Sequence, residues 1–150
     1  MRPYLLTLAM LVVAPPANAD WQFARWGMTP EQLVAASGGA AKLIPPRERP
    51  RMPPLETAAA GEFRDGSLPL RTTFSFGTDG SGLSCVFYGV RRHGDDEAFK
   101  AVLIQRYGPP QTKSSLPAIG QEQLGWITAT DTIDATFSPD DPAFASHCRK

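Results

Sequence analysis

The sequence predicts an α+β domain: an antiparallel sheet of about four to five strands with two helices on one face, in the order helix, strands, helix, strands. Three observations predict it. Two segments, at 29–39 and 95–110, carry helix-start and helix-stop chemistry. Two pairs of alternating segments, 70–90 and 124–137, are joined by short turn sequences, which is the antiparallel hairpin pattern. Helices and hairpins in this order leave an apolar sheet face that the helices can cover.

The chain of 150 residues opens with Met1-Arg2, an apolar run from Tyr4 to Val13, and small residues at Ala17 and Ala19. A charged start, an apolar middle and an A-x-A exit form a secretory signal, so residues 1–19 read as a signal peptide and 20–150 as a single exported domain. The run is shorter than the roughly 20 apolar residues that span a bilayer. In Met28-Thr-Pro-Glu-Gln-Leu33, Thr29 suits the N-cap, Pro30 the first helical position, and Gln32 completes a capping box. Met28 and Leu33 are spaced for a hydrophobic staple, Glu31 suits the positive end of the helix dipole, and Ser37-Gly38-Gly39 ends the helix.

Residues 45–54 hold five prolines and three arginines, which excludes a helix and predicts an extended polyproline-like loop. An alanine-rich stretch, Thr57 to Ala60, and a possible short strand at Glu62-Phe63-Arg64 follow. Leu70, Thr72, Phe74 and Phe76 alternate with Arg71, Thr73 and Ser75, the glycine-rich 77–82 turns, and Leu83, Cys85 and Phe87 return on one face. A second helix, capped by Asp95 or Asp96, carries Phe99, Val102, Leu103 and Tyr107 as its apolar stripe and stops at Gly108-Pro109-Pro110. Strands at 124–129 and 132–137 follow, the second with Ile133, Ala135 and Phe137 on one face, and the tail from Ser138 reads as a loop.

Lys and Arg number 15, as do Asp and Glu. Such a balance offers no electrostatic footprint for nucleic acid and no general pull toward anionic membranes. No second apolar segment suggests a transmembrane anchor. The two cysteines, Cys85 and Cys148, read as one structural disulfide of an exported protein, since redox-active pairs usually sit close together as C-x-x-C. The domain belongs in the periplasm or outside the cell.

The run Trp26-Gly27-Met28-Thr29-Pro30-Glu31-Gln32-Leu33 with Gly38-Gly39 resembles the opening helix of small outer-membrane-assembly lipoproteins of the SmpA/OmlA kind. The helix-then-strands plan is also similar to that of secreted β-lactamase inhibitor proteins, where it is repeated. Phe99 to Pro110 would then be the second copy's helix. The resemblance implies an adaptor or inhibitor acting through protein contacts. The chain departs from the lipoproteins in lacking a cysteine at the processing point.

Motifs of catalysis are weak. His93 with Asp95 or Glu97 is too small a set for a zinc site. His147 beside Cys148 would matter only to a free thiol. Ser37-Gly38-Gly39 and Ser81-Gly82 lack the G-x-S-x-G elbow, and the glycines of 77–82 lie between strands, where a phosphate cradle would need a helix start. The carboxylates Asp79, Asp131, Asp134, Asp140 and Asp141 have no spacing that assigns an acid and a base. No metal, cofactor or catalytic residue is therefore expected. Arg47, Arg49 and Arg51 are either a stiff cationic strip that docks an acidic partner or a solubilising loop. Trp21, Phe23 and Trp26 either form a binding patch or pack on the sheet and tie down the N-terminus. The expected function is a non-catalytic binding or envelope-assembly module for another envelope or secreted protein. Inhibition of a secreted or periplasmic enzyme, and carriage of a small apolar ligand between helices and sheet, are the alternatives.

Overall fold

The computed structural model describes residues 21–150; the segment read as a signal peptide lies outside the described residues. Helix α1 (Pro30–Ala36) leads into strands β1 (Ala41–Leu43), β2 (Arg51–Met52), β3 (Leu55–Asp65), β4 (Leu68–Gly77) and β5 (Gly82–Gly89). Helix α2 (Asp96–Tyr107) leads into β6 (Thr112–Leu116), β7 (Gln121–Ile127), β8 (Asp131–Phe137) and β9 (Phe144–Arg149). All nine strands share one sheet of order β1-β3-β4-β5-β9-β8-β7-β6, with β2 hydrogen-bonded to β3. Every pairing is antiparallel.

This corrects the expected sheet of four to five strands with two helices. The class is α+β, but a large sheet dominates and the two helices are short. The extra strands come from segments without apolar periodicity. Residues of β6 are exposed throughout, and β1 and β2 are short pieces bordering β3. Backbone pairing, rather than a buried side-chain row, recruits such segments. The tail expected as a loop supplies β9, which lies in the middle of the sheet between β5 and β8. The alanine-rich stretch and the possible strand at 62–64 merge into the 11-residue β3.

Helix α1 begins as its sequence dictates. The Gln32 amide donates to Thr29 Oγ1 at 3.2 Å and the Thr29 amide to Gln32 Oε1 at 2.9 Å, which completes the capping box. Leu33 is buried and anchors the helix to the core. Helix α2 starts differently. Asp95 makes no capping bond, while Asp96 Oδ1 accepts from the Ala143 amide at 2.9 Å and fixes the helix start to the approach of β9. Phe99 and Leu103 are fully buried, and ion pairs Lys100–Glu122 and Arg106–Asp65 bind the helix to β7 and β3. Hydrogen bonds from Lys100 and Lys113 hold the Glu122 carboxyl below its ordinary range.

The core occupies one face of the sheet. Leu70, Thr72 and Phe74 of β4 meet Val86 and Tyr88 of β5, and the row continues through Ala145, Ile133 and Trp126. Trp21 packs edge-on against Phe63 and Phe74, with ring centroids 5.0 and 5.8 Å apart. The expectation that Leu83, Cys85 and Phe87 share a face is corrected by a bulge. Cys85 pairs with Ser75 and Leu83 with Phe76, so Ser84 is the extra residue. Cross-strand partners share a face. Leu83 therefore joins the core beside Phe76, while Cys85 and Phe87 point to the opposite face. At the same bulge the Gly27 amide donates to the Leu83 carbonyl at 3.0 Å and the Leu83 amide to Met28 at 2.8 Å. Gly82 permits this contact: its φ is +76°, and a Cβ there would lie 2.3 Å from the Gly27 carbonyl oxygen.

The sheet divides into two similar halves. Each starts with a helix, and in each the strands run inward from an edge, β1-β3-β4-β5 and β6-β7-β8-β9, to meet at the β5–β9 seam. Cys85 and Cys148 are direct partners across that seam, disulfide-bonded with Cα atoms 4.1 Å apart. The crosslink joins positions 63 residues apart in sequence. A loop of that length corresponds to about 4 kcal/mol in the chain-entropy model. The double variant Cys85→Ser/Cys148→Ser should lose about 2–4 kcal/mol of unfolding free energy in urea titration. A loss below about 0.5 kcal/mol would show that pairing alone holds the seam.

Candidate functional site

The face opposite the core is not covered by either helix. Alternation along β4 places Arg71, Thr73 and Ser75 there, with Cys85, Phe87 and Gly89 of β5 beside them. Across the seam come Phe144, Ser146 and Cys148 of β9. Two adjoining hollows of about 490 and 360 Å³ share Thr73 and Phe87. The larger reaches Arg71, Gly89, Pro142 and Phe144. The smaller lies under the proline-rich segment and is lined by Pro50, Arg51, Met52, Leu55 and Ser75. Together they form a groove that straddles the seam.

Each lining residue has a local cause. Gly89 pairs with Phe144, and a Cβ at Gly89 would lie 2.8 Å from the Phe144 Cβ. The glycine thus leaves the space that the aromatic side chain requires. Phe144 remains 47% exposed and Met52 68%, a marked exposure for large apolar side chains flanking one groove. Beyond Arg71 lies a third hollow of about 560 Å³, lined in part by Glu62, Arg64, Arg91 and Arg92. Arg91 pairs with Glu62, and Arg92 with Asp95 at 3.2 Å. Arg64 donates to the Ser67 carbonyl at 3.2 Å. Among the described residues, Arg64 and Arg71 have no ion-pair partner.

The residues singled out from sequence fall in different places. Arg47 is exposed in a short 3-10 turn, Pro46–Glu48. Arg49 turns inward, donating to the Ile44 carbonyl at 2.9 Å and pairing with Glu56 at 3.4 Å. Arg51 also approaches Glu56, at 3.7 Å, and lines the groove. The three arginines do not form one strip, and of the three only Arg51 lines the groove. Trp21 is buried in the core, and Trp26 is half-buried and held by a hydrogen bond to Asp131. Phe87, Phe144, Arg71 and Met52 were not singled out. Arg71 could have been, because its alternation already places it opposite Leu70 and Thr72. Phe87 was hidden by the bulge and Phe144 by a tail without periodicity.

A second polar cluster lies under the core face. The Trp26 indole N–H donates to Asp131 Oδ1 at 2.8 Å, and His147 Nε2 lies 3.0 Å from Asp131 Oδ2. The Tyr107 hydroxyl lies 3.5 Å from His147 Nδ1 and 3.3 Å from the Tyr88 hydroxyl. A carboxylate only accepts, so Nε2–H donates to Asp131. Burial, with neighbouring Tyr107, pushes the Tyr88 phenol well above its ordinary pKa. Asp131 and His147 are 5% and 3% exposed, so this chain works as a pin: it fixes the Trp26 segment, α2 and β9 to one another. With Cys148 disulfide-bonded, the thiol chemistry considered for His147 does not arise. His93 lies 3.3 Å from Asp96 Oδ2 at the surface. Among the described residues no group of three or more His, Cys, Asp or Glu is placed to hold a metal ion. No helix among them is long and apolar enough to cross a membrane.

The chain matches no protein-family model and no curated protein. It is similar in structure to a DUF4309 family protein, YjgB, from Bacillus subtilis subsp. subtilis str. 168. The likeness covers 89% of this chain and 86% of that one, with a TM-score of 0.51 and 17% identity. At that identity the likeness concerns the fold alone.

The buried cluster has a direct test. Asp131→Ala leaves two donors without their acceptor and should cost about 2–4 kcal/mol in urea unfolding. Trp26→Phe should cost about 1 kcal/mol alone and almost nothing when Asp131 is already alanine. Additive costs in this double-mutant cycle would show that the two side chains do not act together.

Proposed function

We propose that this chain is a non-catalytic, exported binding module that holds another envelope or secreted protein on the uncovered face of its sheet. One observation carries the reading: the helices and the N-terminal aromatics cover one face, while the other keeps a groove lined by Phe87, Phe144 and Met52. A groove walled by polar residues and flanked by exposed apolar side chains has the composition of a docking surface. The rigid seam beneath it holds the lining residues in place before a partner arrives, which lowers the ordering cost of binding. Export is supported by the secretory pattern of residues 1–19 and by a disulfide suited to an oxidising compartment. The helix–sheet interface is filled by Tyr88, Phe99, Leu103 and Trp126, which leaves the groove as the better place for a partner.

Inhibition of a secreted or periplasmic enzyme is a second reading. The build of two helix-led halves favours it. Assays against envelope hydrolases separate it from a purely assembling role.

The primary reading is tested by photocrosslinking in native envelope extract, with the crosslinker placed at Phe144 or, as a control on the helix face, at Ile104. A discrete adduct from position 144, lost when Phe87→Asp is added, is expected. Equal adducts from both positions, or none from 144, would overturn the docking role of this face.

A further inference from the structure

We infer that the groove takes an extended, acidic segment of a partner protein, with carboxylates at its ends and apolar side chains at its centre. This rests on the docking role proposed above and adds the chemistry of the occupant. Along β5, side chains on the uncovered face recur every second residue, about 6.8 Å apart. Arg91 lies just beyond one end of β5, next to Glu62. Gly89 follows, flanked by Arg71 on β4 and Phe144 on β9. Phe87 is next, and from it the smaller hollow runs sideways across Ser75 of β4 and Leu55 and Thr57 of β3 to Met52 and Arg51 of β2. The row thus reads cationic, apolar, cationic. Arg51 lies about seven residues along the strands from Arg91 and three strand spacings to the side, about 27 Å away, which about eight residues of extended chain cover. Along β5 a strand-like segment repeats its own side chains at the same interval, so its alternate residues fall in register with Arg91, Phe144 and Phe87, and its far end crosses the sheet obliquely to Arg51.

The charges settle which occupant is favoured. Arg71 makes no ion pair among the described residues but faces Glu62 of β3, and Glu62 pairs with Arg91, so these two arginines share one carboxylate as Arg49 and Arg51 share Glu56. Cations without a full complement of carboxylates attract an acidic ligand, and the guanidinium fork matches a carboxylate. A uniform polyanion fits less well, because it would cover Phe87 and Phe144 with charge. A polypeptide that alternates acidic and apolar residues satisfies both parts.

The test uses the full oxidised chain and three probes: an acetylated nonapeptide with glutamates toward both ends and leucine and phenylalanine at its centre, the same peptide with lysines for glutamates, and heparin. Fluorescence anisotropy should show the acidic peptide binding at least tenfold more tightly than the lysine peptide, with the preference shrinking as salt rises. Amide chemical-shift changes should centre on Arg71, Phe87 and Phe144. Arg71→Gln, a surface change that leaves the core intact, should weaken the acidic peptide severalfold, and Phe144→Ser should do the same. Equal affinity for the two peptides, binding of neither, shifts confined to the helices, or tighter binding of heparin would each overturn the inference. If any of these occurs while the crosslink from position 144 persists, the docking face stands and only the acidic occupant falls. If the crosslink is also absent, both fall.

Discussion

The pairing of β5 with β9 is the constraint on which the rest of the molecule depends. Without it each half would end in an open strand edge, and such edges are sites of unwanted association. The paired strands are about 60 residues apart in sequence, so joining them carries a loop-closure cost before any packing is gained. The disulfide between Cys85 and Cys148 reduces that cost by restricting the unfolded chain. The same seam aligns Val86 with His147 and Tyr88 with Ala145, so the cores of both halves become one.

The two faces of the seam serve different ends. On the core face, His147 projects from β9 into the cluster of Asp131, Trp26 and Tyr107, which locks the N-terminal segment and α2 onto the second half of the sheet. On the other face, the pairing of Gly89 with Phe144 opens the space in which the groove forms. A bulge at Ser84 decides which residues appear on which side: it sends Leu83 inward and leaves Phe87 facing the groove. The groove therefore combines β3, β4, β5 and β9 with the proline-rich segment, five pieces that only the assembled sheet brings together.

Legibility in the sequence followed local chemistry. The capping box of Thr29 and Gln32 is a contact between near neighbours, so α1 was readable in full. The alternation of Leu70, Thr72 and Phe74 fixed the core face of β4, and the cysteine pair was readable from compartment logic. What failed was non-local. Exposed β6 has no buried row to announce it, and β9 is central through the backbone hydrogen bonds of its neighbours. A single bulge inverted the reading of β5 because strand periodicity is two. Arg47, Arg49 and Arg51 looked like one strip, yet Glu56 and the Ile44 carbonyl, both outside that segment's local pattern, draw Arg49 inward.

Native-state hydrogen exchange tests the seam most directly. Cys85 and Cys148, with Cα atoms 4.1 Å apart, form a narrow pair, so their neighbours Val86 and His147 are a wide pair that exchanges both backbone hydrogen bonds. If the seam makes one unit of two halves, these two amides will exchange only through global unfolding. The protected amides of β4 and β8 will then share that opening free energy. Exchange of β7 and β8 at about 2 kcal/mol below the value for β4 would contradict the account, because the second half would then be opening alone.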